Sequence, residues 1–223
     1  MGHYGANSAT MVPMKITRHV HACVEIHHND RSLLIDPGNF GAPESLNTTD
    51  AVLLTHSHPD HADADALVRA RENRPHLPIY GPQHLAMILP FEVHIVQRGD
   101  TFNVAGFHVE VLGSDHAMIT RAQDVPENIG FLINRRVLHP GDAFQPIRNV
   151  DLALVPVNGP WVKMLDVEQW LKKFPPRRFM GIHDGMVIDA GRALNNKILG
   201  ILGDAYGSEH LPLEPGESYE LPT

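Results

Sequence analysis

Three imidazoles and a carboxylate fall within six residues, His56-Ser57-His58-Pro59-Asp60-His61, directly after the largely apolar run Ala51-Val52-Leu53-Leu54-Thr55. The run reads as a buried strand. The polar stretch that closes it must either face water or gather its side chains around something that needs them. Imidazole and carboxylate are the usual protein ligands of zinc and similar divalent ions. In a chain of this composition the pattern His-x-His-x-Asp-His arises by chance in about one sequence in 200. A solvated, histidine-rich turn is the competing reading, and the rest of the chain decides between the two.

The chain has 223 residues, 43% hydrophobic and 20% charged, which fits one compact domain. The expectation is a single domain over residues 14–223, preceded by a loose extension over residues 1–13 rich in Gly, Asn and Ser. That extension has neither the basic start nor the apolar stretch of a secretory signal. No apolar run approaches the ~18 residues of a membrane-spanning helix. The lone Cys23 excludes an intramolecular disulfide. Together these features point to the cytoplasm and to no membrane partner. A formal net charge of −8 gives no general electrostatic footprint for nucleic acid. The expected partner is a small molecule. The oligomeric state stays open, a homo-oligomer included.

Strand patterns dominate both halves. Extended segments are expected at residues 15–20, 21–27, 32–36, 51–55, 78–81, 92–97, 101–105, 107–112, 128–134, 136–139, 152–157, 178–183 and 218–221. Phe107, Val109 and Val111 alternate with His108 and Glu110, the mark of a sheet with one buried face. Helices are expected at residues 62–72, 83–88, 165–174 and 189–206. In the third, Val167, Trp170, Leu171 and Phe174 share a face; in the fourth, Ile198, Ile201, Leu202 and Ala205 do. Two sheets packed face to face with helices outside would bury both kinds of pattern.

His56 and His58 are two apart at a strand end, so both can point the same way. Asp60 and His61 fall where a helix begins, and a tight turn can aim them into the same pocket. Four such ligands can serve two adjacent ions if further ligands arrive from other strand ends. Three candidates qualify: His116 in Gly113-Ser114-Asp115-His116, Asp142 in His139-Pro140-Gly141-Asp142, and His183 in Ile182-His183-Asp184-Gly185. Each alone reads as an ordinary loop residue. Together with residues 56–61 they read as one site.

With these residues in view, the chain resembles the metallo-β-lactamase superfamily. Leu54-Thr55-His56-Ser57-His58-Pro59-Asp60-His61 matches its signature, and His116, Asp142 and His183 follow in the family's order. Asp36, in Leu34-Ile35-Asp36-Pro37-Gly38, matches the family's strand-end aspartate, and the resemblance spans about residues 15–185. Within the superfamily the chain most resembles the compact ascorbate-6-phosphate-lactonase-like hydrolases, through His21-Ala22 and Gly141-Asp142. The resemblance implies an α+β fold, a four-layer αββα sandwich of two mixed sheets. It implies that His56, His58 and His116 hold a first ion, that Asp60, His61 and His183 hold a second, and that Asp142 bridges them. Lactamases proper often place a cysteine near the bridging position, and this chain has aspartate there.

Such a site implies a dinuclear hydrolase that uses a metal-bridging hydroxide on an ester, lactone or phosphoester of a small molecule, anionic ones included. Zinc is the first choice of metal, with manganese or iron open. Asp60 would both bind metal and orient the nucleophile. No Gly-x-Ser-x-Gly motif offers a protein nucleophile instead. Asp36 is the first candidate to hold a ligand histidine in the right tautomer, followed by Asp115 and Asp184. His21, Arg121, Trp161 and Lys163 are candidate substrate contacts, and His139 is kept only for its nearness to Asp142. The alternatives are a phosphodiesterase or nuclease, a thiolester hydrolase, and a non-hydrolytic metal sensor or di-iron module.

Overall fold

Strands β3 (Arg31–Ile35) and β4 (Ala51–Leu53) show how the chain divides itself into layers. Leu33, Ile35, Ala51 and Leu53 point into one apolar cluster, while Leu34, Val52 and Leu54 point into another. Both faces of this sheet are therefore buried, which explains why these strands read as continuous apolar runs. The computed structural model describes residues 13–223. The expected N-terminal extension, apart from Pro13, lies outside the described residues.

The first sheet adds β1 (Met14–Arg18), β2 (Val24–His28), β5 (Ile79–Gly81), β6 (His94–Ile95) and the late β14 (Ser218–Leu221), in the order β14-β1-β2-β3-β4-β5-β6. The second holds β7 (Thr101–Val104), β8 (Phe107–Asp115), β9 (Glu127–Ile133), β10 (Val137–His139), β11 (Leu152–Pro156), β12 (Arg178–Ile182) and β13 (Glu209–His210). Its order is β13-β12-β11-β10-β9-β8-β7. Each sheet mixes parallel and antiparallel pairs.

Three apolar clusters separate the layers. The central one joins Ile16, Val24 and Leu53 of the first sheet to Val109, Phe131, Leu154 and Met180 of the second. On the outer face of the first sheet, Leu34, Val52 and Ile79 pack against Ala66, Leu67 and Ala70 of α1 (Ala64–Asn73) and Leu85 of α2 (Leu85–Ile88). On the outer face of the second, Leu138, Ala153, Val155 and Phe179 pack against α3 (Met164–Lys173) and α4 (Asp189–Tyr206). The result is the expected four-layer αββα sandwich. Each fully buried Leu, Ile, Val or Phe contributes about 1.5–3 kcal/mol, so these clusters supply the main driving force for folding. Among the described residues no helix is long and apolar enough to cross a membrane.

Three local expectations shift. The first helix begins at Ala64, not Ala62, because the Asp63 side chain accepts the Ala66 N–H at 3.0 Å and caps it there. The fourth helix buries Leu199, Leu202 and Gly203; of the expected face Leu202 is buried and Ile198 half-buried against the core, while Ala205 is exposed and Ile201 is 59% exposed. Strand β8 runs three residues past the expected Leu112, to Asp115, paired with β9 throughout.

Candidate metal centre

The directions of the strands bring the candidate residues to one edge. Strands β1 and β3 both run antiparallel to β2, and β3 is parallel to β4. Strands β8 and β10 both run antiparallel to β9, and β10, β11 and β12 are mutually parallel neighbours. His21, Asp36 and His56 therefore leave the first sheet at its carboxyl edge. His116, Asp142, Asn158 and His183 leave the second in the same way. The two edges are tied together: Ile129 N–H donates to the Thr55 carbonyl at 3.0 Å, and His183 N–H to the His21 carbonyl at 2.9 Å. His139, buried, bonds through Nε2 to the Ala22 carbonyl at 2.8 Å, so its work is to join the sheets.

The histidine-rich stretch is a tight turn pressed against the loop after β3. His61 and Ala62 N–H groups both donate to the His58 carbonyl, at 3.0 and 2.9 Å, and Asn39 N–H donates to the Pro59 carbonyl at 2.8 Å. Gly38 makes this approach possible, because a Cβ there would lie 1.8 Å from the Asp60 carbonyl oxygen. Gly141 does the same for Asp142: its φ is +61°, and a Cβ would lie 2.2 Å from Asn128 Oδ1. That Asn128 oxygen accepts the Asp142 N–H at 2.9 Å. His21, Asp36 and His183 also take left-handed backbone, with φ of 63°, 50° and 64°. Left-handed φ costs a non-glycine residue roughly 1–3 kcal/mol and tends to collect at functional sites.

Two groups of ligand atoms result. His56, His58, His116 and Asp142 form one; His21, Asp60, His61 and His183 form the other; within each, the atoms lie within 4.8 Å of one another. Asp142 connects them. Its Oδ1 is 3.1 Å from His61 Nε2, and its Oδ2 is 3.1 Å from His116 Nε2 and 3.0 Å from His183 Nε2. His56 Nε2 faces His58 Nδ1 at 3.1 Å.

Hydrogen bonds on the far side of each ring set the tautomers. His116 Nδ1 donates to the Ala117 carbonyl and His183 Nδ1 to the Asn158 carbonyl, both at 2.6 Å. His61 Nδ1 donates to Asp36 Oδ2 at 2.7 Å. The Thr55 hydroxyl donates to Asp36 Oδ2 at 2.7 Å, so it accepts from His56 Nδ1 at 3.0 Å. Four Nε2 atoms are thereby turned inward on the Asp142 carboxylate. Lone pairs facing lone pairs at about 3 Å repel unless a cation or proton lies between them. His61 Nε2, His183 Nε2 and Asp142 Oδ1 are buried atoms without a hydrogen-bond partner. This donor set fits divalent ions bound by nitrogen and oxygen.

The electrostatics agree. Burial, reinforced by His61, holds His56 well below the ordinary histidine value. Burial acts to lower His61 too, but Asp142 and Asp36 outweigh it and hold His61 well above that value. Burial would raise Asp60, but the His21 hydrogen bond and the nearby histidines bring it down to about 2. Asp142 is likewise held well below the usual carboxylate range by His61, His116 and His183 against its burial.

His21 has a different task from the one its sequence position suggested. Gly185 N–H donates to its Nδ1 at 3.0 Å, so its proton resides on Nε2, which donates to Asp60 Oδ2 at 3.0 Å. His21 has no lone pair left for an ion in this arrangement; it holds Asp60 in place. No spacing in the sequence signalled this pairing. Asp36 accepts from Thr55 and His61 as expected, whereas Asp115 is exposed and Asp184 pairs instead with the buried Arg18. Trp161 lies at the site, its ring 5.7 Å from that of His116 and 5.9 Å from that of His183. Arg121 and Lys163 are exposed.

A family model described as "Beta-lactamase superfamily domain" matches residues 15–183. Protein Rv0786c of Mycobacterium tuberculosis is 32% identical over 188 residues, covering 81% of this chain and 89% of its own. A UPF0173 metal-dependent hydrolase of Polaromonas is 27% identical over 219 residues, covering 84% and 78%. Among solved structures, the metallo-beta-lactamase fold protein YhfI of Bacillus subtilis superposes with a TM-score of 0.71 at 20% identity, covering 93% of this chain and 99% of that one.

Proposed function

Because the chain belongs to the β-lactamase superfamily and is a metal-dependent hydrolase of it, we propose that it works with two divalent ions on a small-molecule ester, lactone or phosphoester. His56, His58 and His116 would hold one ion, and Asp60, His61 and His183 the other, with Asp142 between them. The observation that carries this reading is the position of Asp142, whose two oxygens lie within 3.1 Å of histidines from both groups. Zinc suits these nitrogen and oxygen donors best, and manganese or iron would also fit.

When bound, such a pair of ions supplies an acidified water as nucleophile and a Lewis acid for the developing negative charge. The chain's residues do the rest. With a pKa of about 2, Asp60 is ionised at any physiological pH. So weak a base orients the attacking water by accepting its hydrogen rather than removing it outright. His21 fixes the Asp60 oxygen that does this. Asp36, Thr55, Ala117 and Asn158 keep the histidine protons on the outer side of the site, so the inner nitrogens stay free.

The test is a hydrolysis screen of carboxylic esters, lactones, thiolesters and phosphodiesters with metal-loaded protein. Hydrolysis of one class is expected, abolished by chelation and by Asp142→Ala. Hydrolysis that survives metal removal would rule the reading out.

A further inference from the structure

A groove of about 350 Å3 opens beside the metal ligands, lined by Ala117, Phe144, Trp161, Trp170 and Phe174 together with the charged pair Asp166 and Lys173. Ala117 follows His116 in the chain, and Phe144 lies two residues beyond Asp142. Trp161 stands edge-on to His116 and His183, one residue from each ligand group. The groove therefore begins where a reacting bond would lie.

Its walls are preassembled. Phe144 meets Trp161 edge-on, with ring centres 6.0 Å apart, and Trp170 is locked by its indole N–H donating to the Gln145 carbonyl at 2.7 Å. Phe174 lies under the Arg148 guanidinium, 5.1 Å from it. A second groove of about 250 Å3 lies on the other side of Ala117, lined by His58, Thr120, Gln123 and Asp124 among others. No arginine or lysine lines it, and the nearest acid, Asp124, would repel an anion.

Resting on the hydrolase reading above, we propose that the substrate is a carboxylic ester whose acyl part carries an aromatic ring, seated against Trp161 in the first groove, with an uncharged alcohol part in the second. The half-buried rings of Phe144, Trp161 and Phe174 favour a flat ring over an aliphatic chain. The size suits a single ring system on a short linker. In the reaction water adds to the acyl carbon and the acyl C–O bond breaks, giving the carboxylic acid and the alcohol.

The test compares ethyl phenylacetate with ethyl acetate, by pH-stat, for the metal-loaded wild type, Trp161→Ala and Trp161→Phe. The wild type should prefer the phenylacetyl ester by about tenfold or more in kcat/KM. Trp161→Ala should erase most of that preference, and Trp161→Phe should restore part of it. Hydrolysis of both esters without preference, or a preference that Trp161→Ala leaves intact, overturns the groove assignment and leaves the hydrolase reading standing. If neither ester is hydrolysed, binding of phenylacetate against acetate, followed by calorimetric titration, decides the matter. Tighter phenylacetate binding that depends on Trp161 supports the groove, and equal binding of the two acids overturns it.

Discussion

Asp36 Oδ2 lies 2.7 Å from His61 Nδ1, and the same carboxylate accepts both the backbone N–H and the hydroxyl of Thr55. Thr55 in turn accepts from His56. One fully buried aspartate thus sets the tautomers of two histidines, one in each ligand group. Asp36→Asn keeps the shape but turns an amide N–H toward a donor. It should weaken metal binding about 10–100-fold and destabilise the fold by about 1–3 kcal/mol. Competition with a chelator and thermal unfolding would measure the two effects, and unchanged metal affinity would contradict the role given to Asp36.

His21 holds Asp60 through a single hydrogen bond of 3.0 Å. His21→Phe removes the donor while leaving the ring that packs edge-on against Phe40. Turnover should fall about 10–100-fold, the scale of a small misplacement of a reacting group. The ion proposed for His56, His58 and His116 should be retained, as metal analysis would show. Partial recovery is expected in His21→Gln. Loss of both ions in His21→Phe would mean that the residue ligates or scaffolds the whole centre instead.

Metal uptake should expel a proton. His61 is held above its ordinary value and so is protonated near neutral pH, whereas His56 and His58 are lowered and already neutral. A raised value stabilises the metal-free fold below the unfolded pKa of about 6.5 and loses that effect as pH rises through the folded pKa. Divalent metal replaces this proton, so binding at about pH 7.5 should release about one proton per chain. Calorimetric titration in buffers of differing ionisation enthalpy reads this number, and zero release would contradict the assignment.

His210 gives a pH effect separate from the centre. Burial lowers it to about 4, its Nε2 is buried without a partner, and its ring lies 5.2 Å from that of Phe179. The unfolded chain takes up a proton near pH 6.5 that the folded chain refuses until about 4, so stability drains away as pH falls across that window. His210→Phe should lose less of its Tm than the wild type between about pH 7 and about pH 5. Parallel losses in the two proteins would show that His210 is not the group responsible.

Much of this architecture was legible because it follows from strand ends. An apolar strand followed within a few residues by a histidine or an aspartate places that residue at a sheet edge, as it does His56, His116, Asp142 and His183. Alternation could also be read in β8, where Phe107, Val109 and Val111 enter the central core. The face of α4 was legible only in part: Leu202 is buried as expected, but Leu194 and Ile201 extend an exposed apolar stripe beside it that hides the buried Leu199. Strand β13 has only the polar pair Glu209 and His210 and exists because β12 offers it a parallel partner. The pairing of His21 with Asp60 joins residues 39 apart through the meeting of two loops, and no local pattern encodes it.

The two-ion reading is tested most directly by counting metal in the purified protein after loading with zinc and removal of excess. Two ions per chain are expected, with Asp142→Ala reduced to one or none. A wild-type protein that saturates at a single ion, or binds none, would contradict it.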